Sequence, residues 1–559
     1  MRQRRLKAGI AVGAVAALVL SACASERVED AEDLGYDPDA TLIIGTAGEV
    51  TSLDPIYTAD GESIRVARMI YDTLLDIRPG TTEVVPGLAT SWDSDPSGTS
   101  WTFELRDDVT FHDGEPFNAE AVCANFERYH NLEGAAQSPP YYWRLLSGGF
   151  ANNEPEAGLG EPNYQSCEAT DEFTAVIDLA EPTSRFPRLL SLHVFGMHSP
   201  AALEEYNASD LGPWGDVQWP EYSTDHPTGT GPFRFVEWDQ ATQEVRLERN
   251  DDYWGETPTV AEVIFRAIPD ETQRVESLLT GEIHGFDLPA PAHWDTLEAE
   301  GMNLLVRDTP VNLLYVAFTQ EGNEALQDLR VRRAIAHALN REGLVNALMP
   351  EGAEVATQFT PPSLPGWADD VITYEYDPDL ARDLLAEAGY DEDNPLELTF
   401  LWPTEVTRPY MPSPQDMIEL FAPDLEAVGI EVEPISMVWG TEFIPAVIAE
   451  GEGDLHFLGW TGDYPDAFNF IGTWFASANA EFGFDNPELF EKMAQADQTV
   501  EEAERIALYE ELNREIMEFL PGVPISHMPN AIVLAPNVEG VVQGPLANER
   551  FDQARILTE

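Results

Sequence analysis

Two short stretches carry the residue types that could do chemistry. The first is Gly459-Trp460-Thr461-Gly462-Asp463-Tyr464-Pro465-Asp466, which follows the apolar run Leu455-His456-Phe457-Leu458. A carboxylate set beside aromatic rings, just past the end of a buried strand, can seat a cationic group of a ligand. The same residues also suit a surface turn in which Asp463 and Asp466 only cap the next helix. The second stretch is Val406-Thr407-Arg408-Pro409-Tyr410, which follows a strand read over Leu396 to Trp402. Its arginine could receive an anion, or could be a surface group paired with a nearby acid. Both stretches follow strands of one expected sheet, so Asp463 and Arg408 should lie at the edge where open α/β sheets hold ligands.

Strands and helices that alternate must position this edge. Thr41 to Gly45 reads as a buried strand, and Ile64 to Leu75 as a helix. Ser100 to Arg106 alternates as a strand, and Asn118 should cap a helix over Ala119 to Tyr129. Further on, Pro378 to Ala388 is a helix with Gly389 as its left-handed cap. Met417, Phe421, Leu425 and Val428 share one face of the next helix, and Ile430-Glu431-Val432 and Asp454 to Trp460 are strands. A helical region over Val500 to Phe519 precedes Gly522-Val523-Pro524-Ile525-Ser526. This alternation predicts an α/β fold with a mainly parallel sheet.

The chain has 559 residues, enough for two or more lobes. Its formal net charge of −71 argues against nucleic acid and anionic lipid surfaces as partners. Arg2, Arg4, Arg5 and Lys7 precede an apolar run from Ala8 to Leu20, which reads as a signal peptide over residues 1–22. The run ends in Leu20-Ser21-Ala22-Cys23, a string that resembles a bacterial lipobox, so Cys23 is the expected lipidation site. Residues 23–40 read as a solvated tether. The remaining cysteines, Cys123 and Cys167, form an even pair in an oxidising compartment and read as one disulfide. No metal-ligand spacing and no cofactor motif is present.

Several blocks then resemble the large solute-binding proteins of peptide import by ABC transporters, the peptide/nickel type of family 5. They are Pro86-Gly87-Leu88-Ala89, Trp101 to Arg106, Phe111 to Ala119, Gly229-Thr230-Gly231-Pro232-Phe233, Asn250 to Gly255 and Leu329 to Ile335. The resemblance implies a two-lobed periplasmic-binding-protein fold of class II, cluster C type. Lobe I would cover 41–308, with a nested subdomain over about 76–225. Lobe II would cover 309–524, and 525–559 would return to lobe I. It implies a monomeric extracytoplasmic protein delivering a peptide to permease subunits, and the lipobox-like string at Cys23 adds an anchor on the outer face of the cell membrane. In the dipeptide-binding branch, the residues matching Arg408 and Asp463 hold the ligand's carboxylate and α-amino group. Trp439, Tyr410 and Trp460 match the aromatic wall, and Thr461, Gly462 and Gly61 complete the expected ligand set. The loop Tyr464-Pro465-Asp466 is shorter than in that branch, which leaves the role of Asp466 open. Longer peptides, a nickel chelate or an oligosaccharide are the alternative solutes within the family. An exported hydrolase is the other class, but the sequence has no Gly-x-Ser-x-Gly elbow, His-Glu-x-x-His helix or P-loop.

Overall fold

The computed structural model describes residues 35–307, 309–546 and 548–558. The signal-like run, Cys23 and the first part of the expected tether lie outside these residues. The last part of that tether belongs to the fold. Tyr36 forms a bridge with Leu557, and the Asp37 N–H donates to the Ile556 carbonyl at 2.9 Å. Arg555 lies 5.2 Å over the Tyr36 ring, so an aromatic inside a polar stretch has a partner near the other end of the chain.

A seven-stranded sheet organises the first lobe. Its centre is β1 (Thr41–Thr46), parallel to Glu262–Ala267 on one side and to Gly285–Asp287 on the other. Ala531–Leu534 returns late in the chain and fits antiparallel between Gly285–Asp287 and Asn303–Val306. Leu42, Ile44, Val263, Phe265 and Phe286 fill the core beneath it. Helix α1 (Gly61–Ile70) begins where the Asp60 side chain accepts the Ser63 N–H at 2.8 Å. It ends five residues before the expected Leu75. The apolar period runs on, but the Leu74 carbonyl is used by the Gly87 and Ala89 N–H groups, and Leu75–Ile77 pairs as a strand with Val84–Pro86.

The nested subdomain is a four-stranded antiparallel sheet in the order Ala89–Ser94, Ser100–Leu105, Thr174–Leu179, Tyr164–Asp171. Helix α2 (Ala119–His130) packs on it, capped by Asn118, whose Oδ1 accepts the Ala121 N–H at 2.9 Å. The Cys123–Cys167 disulfide ties this helix to the strand Tyr164–Asp171. With a sequence separation of 44, such a closed loop stabilises by at most about 4 kcal/mol on chain-entropy grounds. A short helix, α3 (Tyr141–Ser147), brings Tyr142 to the subdomain's inner side.

The second lobe is built on β2 (Asn312–Phe318), β3 (Leu396–Thr404), β4 (Ile430–Val438) and β5 (Leu455–Thr461). It is completed by the long helix α4 (Glu502–Phe519) and by β6 (Gly522–His527). The sheet is mixed rather than mainly parallel. Strand β3 is parallel to β4 and to β5, but β2 is antiparallel to both β5 and β6. The reason is connectivity. Strand β2 enters from the first lobe and β6 leaves towards it, so the crossings set their direction rather than a helical crossover. The outward crossing lies between Val306 and Asn312. The return lies between His527 and Ala531, past the expected end at 524, because β6 stays hydrogen-bonded to β2.

Candidate functional site

Because β3 and β5 are parallel, their carboxyl ends share one edge of the sheet, with Arg408 beyond the first and Asp463 beyond the second. Strand β2 starts at the same edge, with Asn312 opposite Thr461. The edge is therefore beside the crossing between lobes. Two glycines let it close up. A Cβ on Gly459 would lie 2.2 Å from the Leu313 carbonyl oxygen and 2.4 Å from the Tyr410 ring. One on Gly462 would lie 2.5 Å from Val311, whose carbonyl accepts the Gly462 N–H at 2.7 Å.

A cavity of about 250 Å³ opens here. Gly61, Arg65 and Arg68 of α1, Tyr142 and His193 of the subdomain, and Pro409, Thr461, Gly462 and Asp463 of the second lobe all line it. The structure thus brings four of the expected ligand residues, Asp463, Thr461, Gly462 and Gly61, to one cavity. Arg408 does not line that cavity, although its neighbour Pro409 does. Its guanidinium lies 4.6 Å over the Trp439 ring, and Trp439 in turn stacks on Phe443. Tyr410 is only 6% exposed and packs under the strand ends instead of forming an open wall. Trp460 is half-buried against the second-lobe core. Its Nε1 and the Thr461 Oγ1 are buried without a hydrogen-bond partner among the described residues. Such groups cost about 1–3 kcal/mol each when left unpaired, and a ligand with polar backbone atoms can satisfy them.

The two carboxylates of the stretch divide the two readings between them. Asp466 does the capping. Its Oδ1 accepts the Phe468 N–H at 2.9 Å, and its Oδ2 accepts Arg505 Nη1 at 2.9 Å, with Arg188 Nε at 3.6 Å. Asp463 faces the cavity. Its backbone N–H donates to Asn469 Oδ1 at 2.7 Å, and its carboxylate accepts Asn469 Nδ2 at 3.4 Å and the Tyr142 hydroxyl. Burial pushes the Asp463 carboxyl up to about 6, against the pull of those two hydrogen bonds. Among the described residues no arginine or lysine offsets the burial of Asp463, so a ligand cation is the natural counter-charge.

Sequence reasoning missed Tyr142, His193 and the two arginines of α1. The arginines were legible in principle, because Gly61, Arg65 and Arg68 share one helical face once the helix is started at Gly61. Tyr142 and His193 carried no local signal. Arg65 sits between Glu62 and Asp287, with Nη2 2.6 Å from Asp287 Oδ2. Asp287 is shared with Arg307 at 2.8 Å, and Arg307 also holds Glu549 at 2.7 Å. Burial first, then the charges of Arg68 and Arg550, push His193 well below its ordinary range, so its imidazole is neutral.

Comparison with known proteins places this architecture. Residues 83–482 match the model of the bacterial extracellular solute-binding proteins, family 5. The chain belongs to that family, a family of solute-binding proteins with the two-lobed α/β fold described above. It is similar to the dipeptide-binding protein of Escherichia coli (strain K12), with 29% identity over 529 residues, 92% of this chain and 94% of the relative. Among solved structures it resembles the dipeptide binding protein from Pseudoalteromonas sp. SM9913 in complex with Met-Leu. There the TM-score is 0.74 at 26% identity, covering 92% of this chain and 100% of the other. It also resembles an ABC transporter-associated periplasmic binding protein from Helicobacter pylori in complex with the peptide STSA. The TM-score is 0.73 at 26% identity, covering 94% and 99% of the two chains. Among the described residues, no helix is long and apolar enough to cross a membrane.

Proposed function

We propose that this protein is the extracytoplasmic, lipid-anchored binding component of an ABC importer, and that it holds dipeptides by their charged ends without turning them over. The observation that carries the reading is Asp463, a half-buried carboxylate facing a cavity between the lobes. It takes the ligand's α-amino group. Arg408, at the same sheet edge, takes the terminal carboxylate, and Thr461 and Trp460 offer polar atoms to the peptide backbone. An extended chain spans at most about 3.6 Å per residue, so fixing both ends measures length. Calorimetry with free, N-acetylated and C-amidated dipeptides tests this. Free dipeptides should bind best, and Arg408→Ala should weaken them by about a hundredfold while changing the C-amides little. Equal affinity for blocked and free dipeptides would refute the two-ended clamp, as would release of free amino acids refute the binding-only role.

One observation supports a second reading, longer peptides. A neighbouring cavity of about 230 Å³ shares Ile77, His193 and Asn548 with the first. Tetrapeptides binding as tightly as dipeptides would favour it.

The membrane anchor rests on Cys23 and its lipobox-like string. The processed protein should begin at Cys23 and fractionate with membranes, and Cys23→Ala should be released or left unprocessed. A mature N-terminus at any other residue would sink this.

A further inference from the structure

The proposed seat of the ammonium is made by two elements from different lobes. Asp463 comes from the second lobe, and Tyr142, whose hydroxyl donates to it, comes from α3 of the nested subdomain. Neither element is long. Helix α3 has seven residues, and the turn from Asp463 to Asn469 holds only the three-residue piece Ala467–Asn469. Helical pieces so short are marginal on their own and take their position from what packs on them.

Arg185 stands between the two. It is 8% exposed and lies in the subdomain, just before the short helix Phe186–Leu189. Its Nη2 donates to the Leu145 carbonyl of α3 at 3.4 Å, and its Nε donates to Asp497 Oδ1 of the second lobe at 3.0 Å. Its guanidinium also donates to the hydroxyl of Tyr464, the residue after Asp463. It lies 4.2 Å over the ring of Phe468, the residue before Asn469. One planar fork therefore meets the helix that carries Tyr142 and both ends of the turn that carries Asp463 and Asn469. Its neighbours extend the same crossing. The Ser184 N–H donates to the Asp497 carbonyl at 2.8 Å, and Arg188 Nη2 pairs with Glu502 at 2.7 Å. We propose that Arg185 is a positioning residue for ligand binding, which bolts α3 to the Asp463–Asn469 turn so that Tyr142 and Asp463 close together on the ligand's α-amino group. Arg185 itself does not line the cavity and acts through these two elements. The inference rests on the reading of Asp463 as the amine seat.

Calorimetry with Ala-Ala and N-acetyl-Ala-Ala tests this, because the ratio of their affinities reads the amine seat and cancels general damage to the cleft. The unchanged protein should prefer the free dipeptide by about a hundredfold. Arg185→Met keeps an apolar contact with Phe468 but loses the fork, and should cut that ratio about tenfold, while Arg185→Lys should keep part of it. Combined with Tyr142→Phe, the losses should be less than additive, since both changes act on one pair. Tyr464→Phe removes one acceptor of the fork and strands no charge, and should cut the ratio about threefold. A ratio unchanged in Arg185→Met, or in Tyr464→Phe where Arg185→Met does not fold, overturns the role of Arg185 and leaves the peptide reading standing. No preference for the free dipeptide in the unchanged protein overturns both.

Discussion

Asp463→Ala is expected to weaken dipeptide binding by about a hundredfold or more. Removing one partner of a buried charge pair typically costs about 3–5 kcal/mol, and each factor of ten in affinity is about 1.4 kcal/mol. Asp463 meets the terms of that estimate, because it is held by Asn469 and Tyr142 and faces a cavity instead of open solvent. Asp463→Asn keeps a side chain that can meet both neighbours but removes the charge, so it should lose nearly as much. The loss should shrink for N-acetylated dipeptides, which bring no ammonium to the site. The pH dependence follows from the same carboxyl. The ligand's ammonium needs the ionised form, and burial holds the group up to about 6. Affinity should therefore be flat just above that pH and fall by about tenfold per unit below it. For the ligand-free fold the sign is the reverse. A raised folded pKa favours the protonated form, so this group's contribution to stability is present at low pH and is lost as pH rises through about 6. Calorimetry across that range checks both the size and the direction. Unchanged affinity in Asp463→Ala would remove the amine seat altogether.

Asp466→Ala, three residues on, is expected to damage the fold instead. Asp466 is 3% exposed and Arg505 is 2% exposed, and they pair at 2.9 Å. Without Asp466, Arg505 keeps the Ser184 hydroxyl at 3.2 Å and Glu502 only at 3.9 Å. Leaving a buried cation uncompensated costs about 3–5 kcal/mol. The turn would also lose its cap on the Phe468 N–H, and that turn carries the Asn469 that orients Asp463. The same loop crosses to the nested subdomain. Tyr464 is buried in the subdomain's core, Arg188 reaches Asp466, and Arg185 pairs with Asp497 at 3.0 Å. The effect should appear as a lower urea midpoint, and Asp466→Leu combined with Arg505→Met should recover much of it, because removing both charges leaves none stranded. A midpoint unchanged in Asp466→Ala would show that Arg505 is not held as described.

Local signals carried a good part of this fold. Asn118 and Gly389 marked their helix ends, since a side-chain acceptor and a left-handed glycine act within a few residues of the groups they satisfy. The apolar runs of β3 and β5 were legible for the same reason, and with them the sheet edge that carries Arg408 and Asp463. Position on an edge, however, is not membership of a cavity. The stacking of Arg408 on Trp439 depends on a strand that pairs with β3 from elsewhere in the chain. The end of α1 at Ile70 depends on Gly87 and Ala89 taking the Leu74 carbonyl. The mixed direction of the second sheet depends on where the chain crosses between lobes. Residue types around Asp463 and Asp466 are alike, so local composition had no means to choose between them; the resemblance matched Asp463 to an amine seat and left Asp466 open. The tertiary structure gives each its surroundings, by bringing Arg505 and Arg188 to Asp466 and Tyr142 with an open cavity to Asp463. A charge is assigned its role by what stands within a few ångströms of it, and those neighbours come from distant parts of the chain.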